Sequence, residues 1–248
     1  MKENDYSVYH FSKKELVINI LIIIGALLVI GLTFYDNPLV GLFFTPVIFP
    51  VLEKRRSILC EKRKKELQKE FREALLSVSA GLNAGYSVEN AFMGAYRDIV
   101  LLFGKNADMA IELSLIMKKL RNNQPIEQIL SNLGERSKTA DIMDFAMIFQ
   151  IAKRSGGDLC GAIESTAQII REKGEVEGEI EVMLAGKNME KNIMLLIPFF
   201  MIGYLSLTSK GYFTPMYHNL KGIIISSICL VLYVVSAYMM QRVTKIEV

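Results

Sequence analysis

The chain has 248 residues, of which 51% are hydrophobic and 22% charged, and a formal net charge of +3. These averages resemble a soluble domain, but the layout does not. Residues 53–192 hold 22 of the 29 Lys and Arg and 21 of the 26 Asp and Glu, which leaves 12 charges for residues 1–52 and 193–248. A charged middle between greasy flanks excludes a plain soluble enzyme, a collagen-like chain and a disordered chain. The small net charge gives no ground for a nucleic-acid partner. Cys60, Cys160 and Cys229 share no CxxC spacing, and His10 and His218 are the only histidines, so a His-based metal or catalytic site is not expected.

Residues 1–15 read as a cytoplasmic segment. Leu16 to Tyr35 is an apolar run of 20 residues, and at ~1.5 Å per residue it spans the ~30 Å hydrocarbon core. It is too long for the apolar region of a signal peptide and reads as an uncleaved membrane helix. Leu39 to Leu52 is shorter and carries Pro46 and Pro50. It reads as a second span, with a re-entrant hairpin as the alternative. Residues 16–52 thus form a hairpin about the Asp36-Asn37-Pro38 turn.

Nine basic and four acidic residues follow in 53–72. By the positive-inside rule this puts residues 53–192 in the cytoplasm. The same stretch suits contact with anionic lipid or a merely solvated helix face. From here the spacing is helical throughout. Leu67, Phe71, Leu75, Val78 and Leu82 form one face. Gly85 suits a left-handed stop and Ser87 an N-cap, and Val88, Ala91, Phe92, Ala95 and Ile99 form the next face. After a break at Gly104 come Met109, Leu113, Ile116, Met117 and Leu120. Pro125 suits the first position of a short helix with Ile126, Ile129, Leu130 and Leu133 inward, closed by Gly134. Thr139 or Asp141 caps a fifth helix with Ile142, Phe145, Ile148, Phe149 and Ala152 inward. Ser155-Gly156-Gly157-Asp158 is a sharp turn, with Asp158 placed to cap the next helix. From Leu159 the chain reads as one long helix that leads into the third apolar run, weakened at Gly174, Gly178 and Gly186. Ile193 to Thr208 and Gly222 to Met240 make a second membrane hairpin in 193–240, and 241–248 is a cytoplasmic tail. The fold class is therefore all-α, a cytosolic bundle of about six helices between two pairs of transmembrane helices.

Chemistry is scarce. There is no Walker-type phosphate loop, no GxSxG, no HExxH and no EF-hand pattern. The four apolar runs contain no Asp, Glu, Lys, Arg or His, which disfavours a transporter lined by ionisable groups. Residues 172–181 carry five acids against one base. They suit a docking surface for a basic partner or a cation site, for instance at Glu175 and Glu177, or a solvated face, which is the simpler reading. No catalytic residue, metal or cofactor is expected, and the chain is not read as an enzyme.

One resemblance adds to this. Leu75–Phe92 (LLSVSAGLNAGYSVENAF) resembles a signature of the type II secretion F domain. Glu112-Leu113, Gln124-Pro125-Ile126-Glu127, Glu135-Arg136-Ser137, Asp141-Ile142 and Phe145 follow in the family's order. Ala152 to Leu159 resembles its Gly-Gly turn, and Met194, Pro198 and Phe199 resemble its approach to the membrane. The likeness covers about residues 67–245. With a single F domain and no internal repeat, the chain is most similar to the TadB-type proteins of tight-adherence (Flp) pili, with TadC-type proteins close behind. The resemblance implies a multi-pass platform in a bacterial cytoplasmic membrane, and the basic residues put both termini inside. Its implied partners are a cytosolic secretion ATPase, a paralogous TadC-type protein and pilin subunits, in a homo- or hetero-oligomer. Arg136, Arg154, Gly156, Gly157 and Asp158 are the candidate docking residues. A permease subunit that receives an ATPase is the alternative.

Overall fold

The computed structural model describes residues 4–6, 11, 13–37, 39–40, 45–155, 158–209, 211–217 and 219–243. Among these the structure is all-helical. The helices are α1 (Lys13–Tyr35), α2 (Ile48–Asn83), α3 (Val88–Phe103), α4 (Asp108–Arg121), α5 (Ile126–Ser137), α6 (Ala140–Ser155), α7 (Leu159–Thr208) and α8 (Leu220–Val243). Short turns at Thr45–Val47 and Thr214–Tyr217 accompany them. The chain divides into two units. One combines residues 1–10 with 55–176, and the other 11–54 with 177–248.

The first unit is a bundle with one apolar core. On α2 the expected face is buried throughout, and Cys60 and Ala74 extend it. Gly85 takes φ 85°, which a residue with a Cβ adopts only under strain, so the chain turns there without cost. The Ser87 hydroxyl then accepts the Asn90 N–H at 3.3 Å and satisfies a free donor of α3. Ala91, Phe92, Ala95 and Ile99 of α3 are buried, as are Met109, Leu113 and Ile116 of α4. Phe145 joins the helices, with its ring 5.6 Å from that of Phe71 and 6.0 Å from that of Phe149. On α7, burial ends with Ile163, Thr166, Ala167 and Ile170.

Three local expectations change. Pro125 is the N-cap of α5 and not its first residue, at φ −60° and ψ 130°. Gly134 does not close α5. The helix runs to Ser137, and Lys138 takes the left-handed conformation and donates its N–H to the Gly134 carbonyl. Gly134 serves packing, because a Cβ there would lie 3.2 Å from the Met143 Cα of α6. Ile148, expected inward, is 37% exposed.

In the second unit, which takes α7 from residue 177 on, α1, α7 and residues Lys221–Arg242 of α8 are long and apolar enough to cross a membrane. Apolar side chains such as Leu21, Ile22, Phe200, Val231 and Val234 stand exposed on them. Inside the unit, Phe199 meets Phe34 and Tyr233 edge-on, at 6.3 and 5.5 Å. The Tyr233 hydroxyl donates to the Leu195 carbonyl at 2.8 Å, near Pro198, and Tyr35 shares a 2.9 Å bond with Ser227. The second expected span, Leu39 to Leu52, falls partly outside the described residues, at 41–44. After the Thr45–Val47 turn its last residues belong to α2.

Candidate functional site

The turn between α6 and α7 is set by its flanking helices. Arg154 lies in the last turn of α6, where a cation complements the helix dipole, and is exposed. Its neighbour Lys153 pairs with Glu127 of α5 at 3.0 Å. The backbone N–H at the start of α5, and then Lys153, hold the Glu127 carboxyl below the ordinary carboxylate value. Gly156 and Gly157 lie outside the described residues. Asp158 does cap α7, with Oδ1 accepting the Gly161 N–H at 2.9 Å.

Arg136 sits elsewhere. Its guanidinium is turned into the bundle against Glu112 of α4, whose side chain is 1% exposed. Nη2 donates to Oε2 at 2.8 Å and Nη1 to Oε1 at 3.0 Å, the two-pronged geometry that suits a carboxylate. Nη1 also donates to the Asn4 carbonyl and Nε to Asn132 Oδ1, both at 2.8 Å. The Tyr6 hydroxyl donates to Glu112 Oε1 at 3.0 Å, and the Tyr6 N–H donates to the Arg136 carbonyl at 3.3 Å. Around the Tyr6 ring, Cys60 Sγ donates to the Tyr6 carbonyl and the Arg63 guanidinium lies 5.0 Å over the ring centre. Arg63 in turn grips Asp108 at 2.6 and 2.8 Å. Burial, then the negative charges of Glu112 and Asp108, push the Tyr6 phenol far up, so it stays a neutral donor. The result is a clip that fastens residues 4–6 onto α2, α4 and α5.

Two further carboxylates tie helices together. Asp141, one of the two expected caps of α6, is buried and accepts from Lys173 of α7 at 2.6 Å. Thr139, the other, is the residue before α6, with its carbonyl accepting the Met143 N–H at 3.2 Å. Glu70 accepts the Met109 N–H at 2.7 Å, and burial raises its carboxyl despite that bond.

Glu112 and Tyr6 escape a reading by stripes. Glu112 does leave a trace, since it shares the inward positions of Met109, Leu113 and Ile116 on α4. The Tyr6 contact leaves none. The acids of 172–181 lie along α7, where Arg171 pairs with Glu175 at 2.9 Å. Among the described residues no group of three or more His, Cys, Asp or Glu is placed to hold a metal ion.

Comparison with protein-family models, curated proteins and solved structures finds no match to this chain.

Proposed function

We propose that the chain is a non-catalytic integral-membrane platform for Tad/Flp-type pilus assembly or a type II-like secretion system. In this reading the first unit is cytosolic and receives a secretion ATPase, and the chain couples that ATPase to pilin assembly beside a TadC-type partner. The observation that carries the reading is α7. It begins among the core residues Ile163 to Ile170 and continues as helix to Thr208, through an apolar stretch long enough to cross a bilayer. A displacement imposed on the bundle has a helical path into the membrane.

The clip supports the topology. Residues 4–6 pack in the same unit as residues 55–176. A chain that leaves and returns to one side of a bilayer crosses it an even number of times. If α1 crosses, a second crossing before Arg55 is needed, which favours a hairpin over residues 16–52. The basic residues of 53–72 favour the cytoplasmic side. The order of F-domain-like motifs supplies the functional class.

Deletion of the gene in its native host, with surface filaments counted by electron microscopy, tests the role. Filaments should disappear and return on complementation with the wild-type gene. Filaments that persist in the deletion strain rule the role out.

A further inference from the structure

Among the described residues no element covers the outer face of α6 around Met147 and Ile151. Ile142, Phe145, Ala146 and Phe149 turn to the core, and Met143, Met147, Ile148 and Ile151 stand on the opposite side, 48%, 61%, 37% and 60% exposed. At 100° per residue these four fall in a stripe about 140° wide. Four large apolar groups on one helix face are not explained by the scatter of single exposed residues on a soluble surface. Methionine is enriched at protein interfaces because its flexible thioether adapts to a facing surface.

Charge on the same stripe bears on the occupant. Asp144 lies towards its N-terminal end and Arg154 at its C-terminal end, and both are exposed. If the face meets its own copy with the helices antiparallel and Asp144 opposite Arg154, the register also sets Met147 opposite Ile151. The two-fold symmetry repeats each contact, so two ion pairs flank an apolar centre. A face that complements itself when reversed is what an isologous two-fold interface requires. We infer that this α6 face pairs antiparallel with the α6 face of a second copy of this chain, held by Met147 and Ile151 and kept in register by Asp144 and Arg154. Ridges-into-grooves packing brings such helices to ~8–10 Å apart. The inference concerns the face itself and does not rest on the platform role.

Charge reversal tests it with the full chain in detergent micelles, using two differently tagged copies and measuring co-purification. Wild-type copies should co-purify. Asp144→Arg alone sets arginine against arginine at both pairs, and Arg154→Asp alone sets aspartate against aspartate. Each should lower self-association by about tenfold or more. Mixing the two variants restores both opposite-charge pairs, and co-purification should return to the wild-type level. That recovery also shows that both variants are folded. Failure of wild-type copies to co-purify, as expected if a different protein covers the face, overturns the inference. So do single variants that associate like the wild type, or a mixture that does not recover.

Discussion

Replacing Arg136 by leucine tests the clip at its centre. The variant keeps the stem's bulk and removes every donor. Two bonds to Glu112, one to the Asn4 carbonyl and one to Asn132 disappear, and the Glu112 carboxylate, 1% exposed, keeps the Tyr6 hydroxyl as a donor but loses its countercharge. Breaking a buried pair from one side costs about 3–5 kcal/mol, because the remaining charge stays desolvated. With a urea dependence of about 1–3 kcal/mol per molar, the unfolding midpoint of the first unit falls by roughly 1–5 M. The chain has no Trp and both units are helical, so circular dichroism does not separate them, and pulse proteolysis across a urea series is the suitable assay. The double variant Glu112→Leu/Arg136→Leu removes both charges and should recover much of the loss, since apolar replacements of buried pairs are often near neutral. An Arg136→Leu midpoint equal to that of the wild type, or a double variant worse than the single one, would show that the buried pair does not hold the clip.

Other predictions use the same assay. Tyr6→Phe leaves Glu112 without the phenol donor and should cost about 1–3 kcal/mol, with unchanged stability counting against the clip. Gly134→Val drives a branched side chain into the Met143 backbone and should cost about 1–3 kcal/mol, whereas Gly94→Ala on α3 meets nothing within 4 Å and should gain up to about 1 kcal/mol in helix propensity. The reverse ranking would discount the packing role of Gly134. Burial raises the Glu70 carboxyl above 4.5, so the folded chain holds its proton more tightly than the unfolded one. Its contribution favours folding in acid and is lost as pH rises through the folded pKa. Glu70→Gln removes that dependence, so the midpoint of the variant should climb relative to wild type as pH rises from the ordinary carboxylate range. A constant or falling difference contradicts this.

Periodic and local signals carried well from the sequence. Leu67 to Leu82 and Ala91 to Ile99 lie on the faces their spacing predicts, and Gly85, Ser87 and Asp158 terminate or cap helices through contacts within a few residues. Long-range pairings did not carry. Tyr6 meets Glu112 across 106 positions and Arg136 meets Glu112 across 24, and no local pattern encodes either contact. Arg136, singled out as a docking candidate for its charge and motif, has its guanidinium engaged inside the bundle. Gly134 illustrates a second loss. Glycine ends helices often enough to suggest a stop, but here the neighbouring helix approaches too closely for a Cβ. Ile148 fits the inward spacing of Phe145 and Phe149 but lies at the rim of the buried arc, on the side of the outer stripe.

The proposed platform role requires a bundle held to one side of a bilayer by two hairpins. With Cys160 and Cys229 replaced by serine and Cys60 left buried, single cysteines at Asp36, Tyr212 and Arg154 can be labelled in intact cells with a membrane-impermeant maleimide. That topology requires labelling at positions 36 and 212 from outside, and at 154 only after permeabilisation. Labelling of 154 in intact cells, or the same sidedness at 36 and 154, would contradict it.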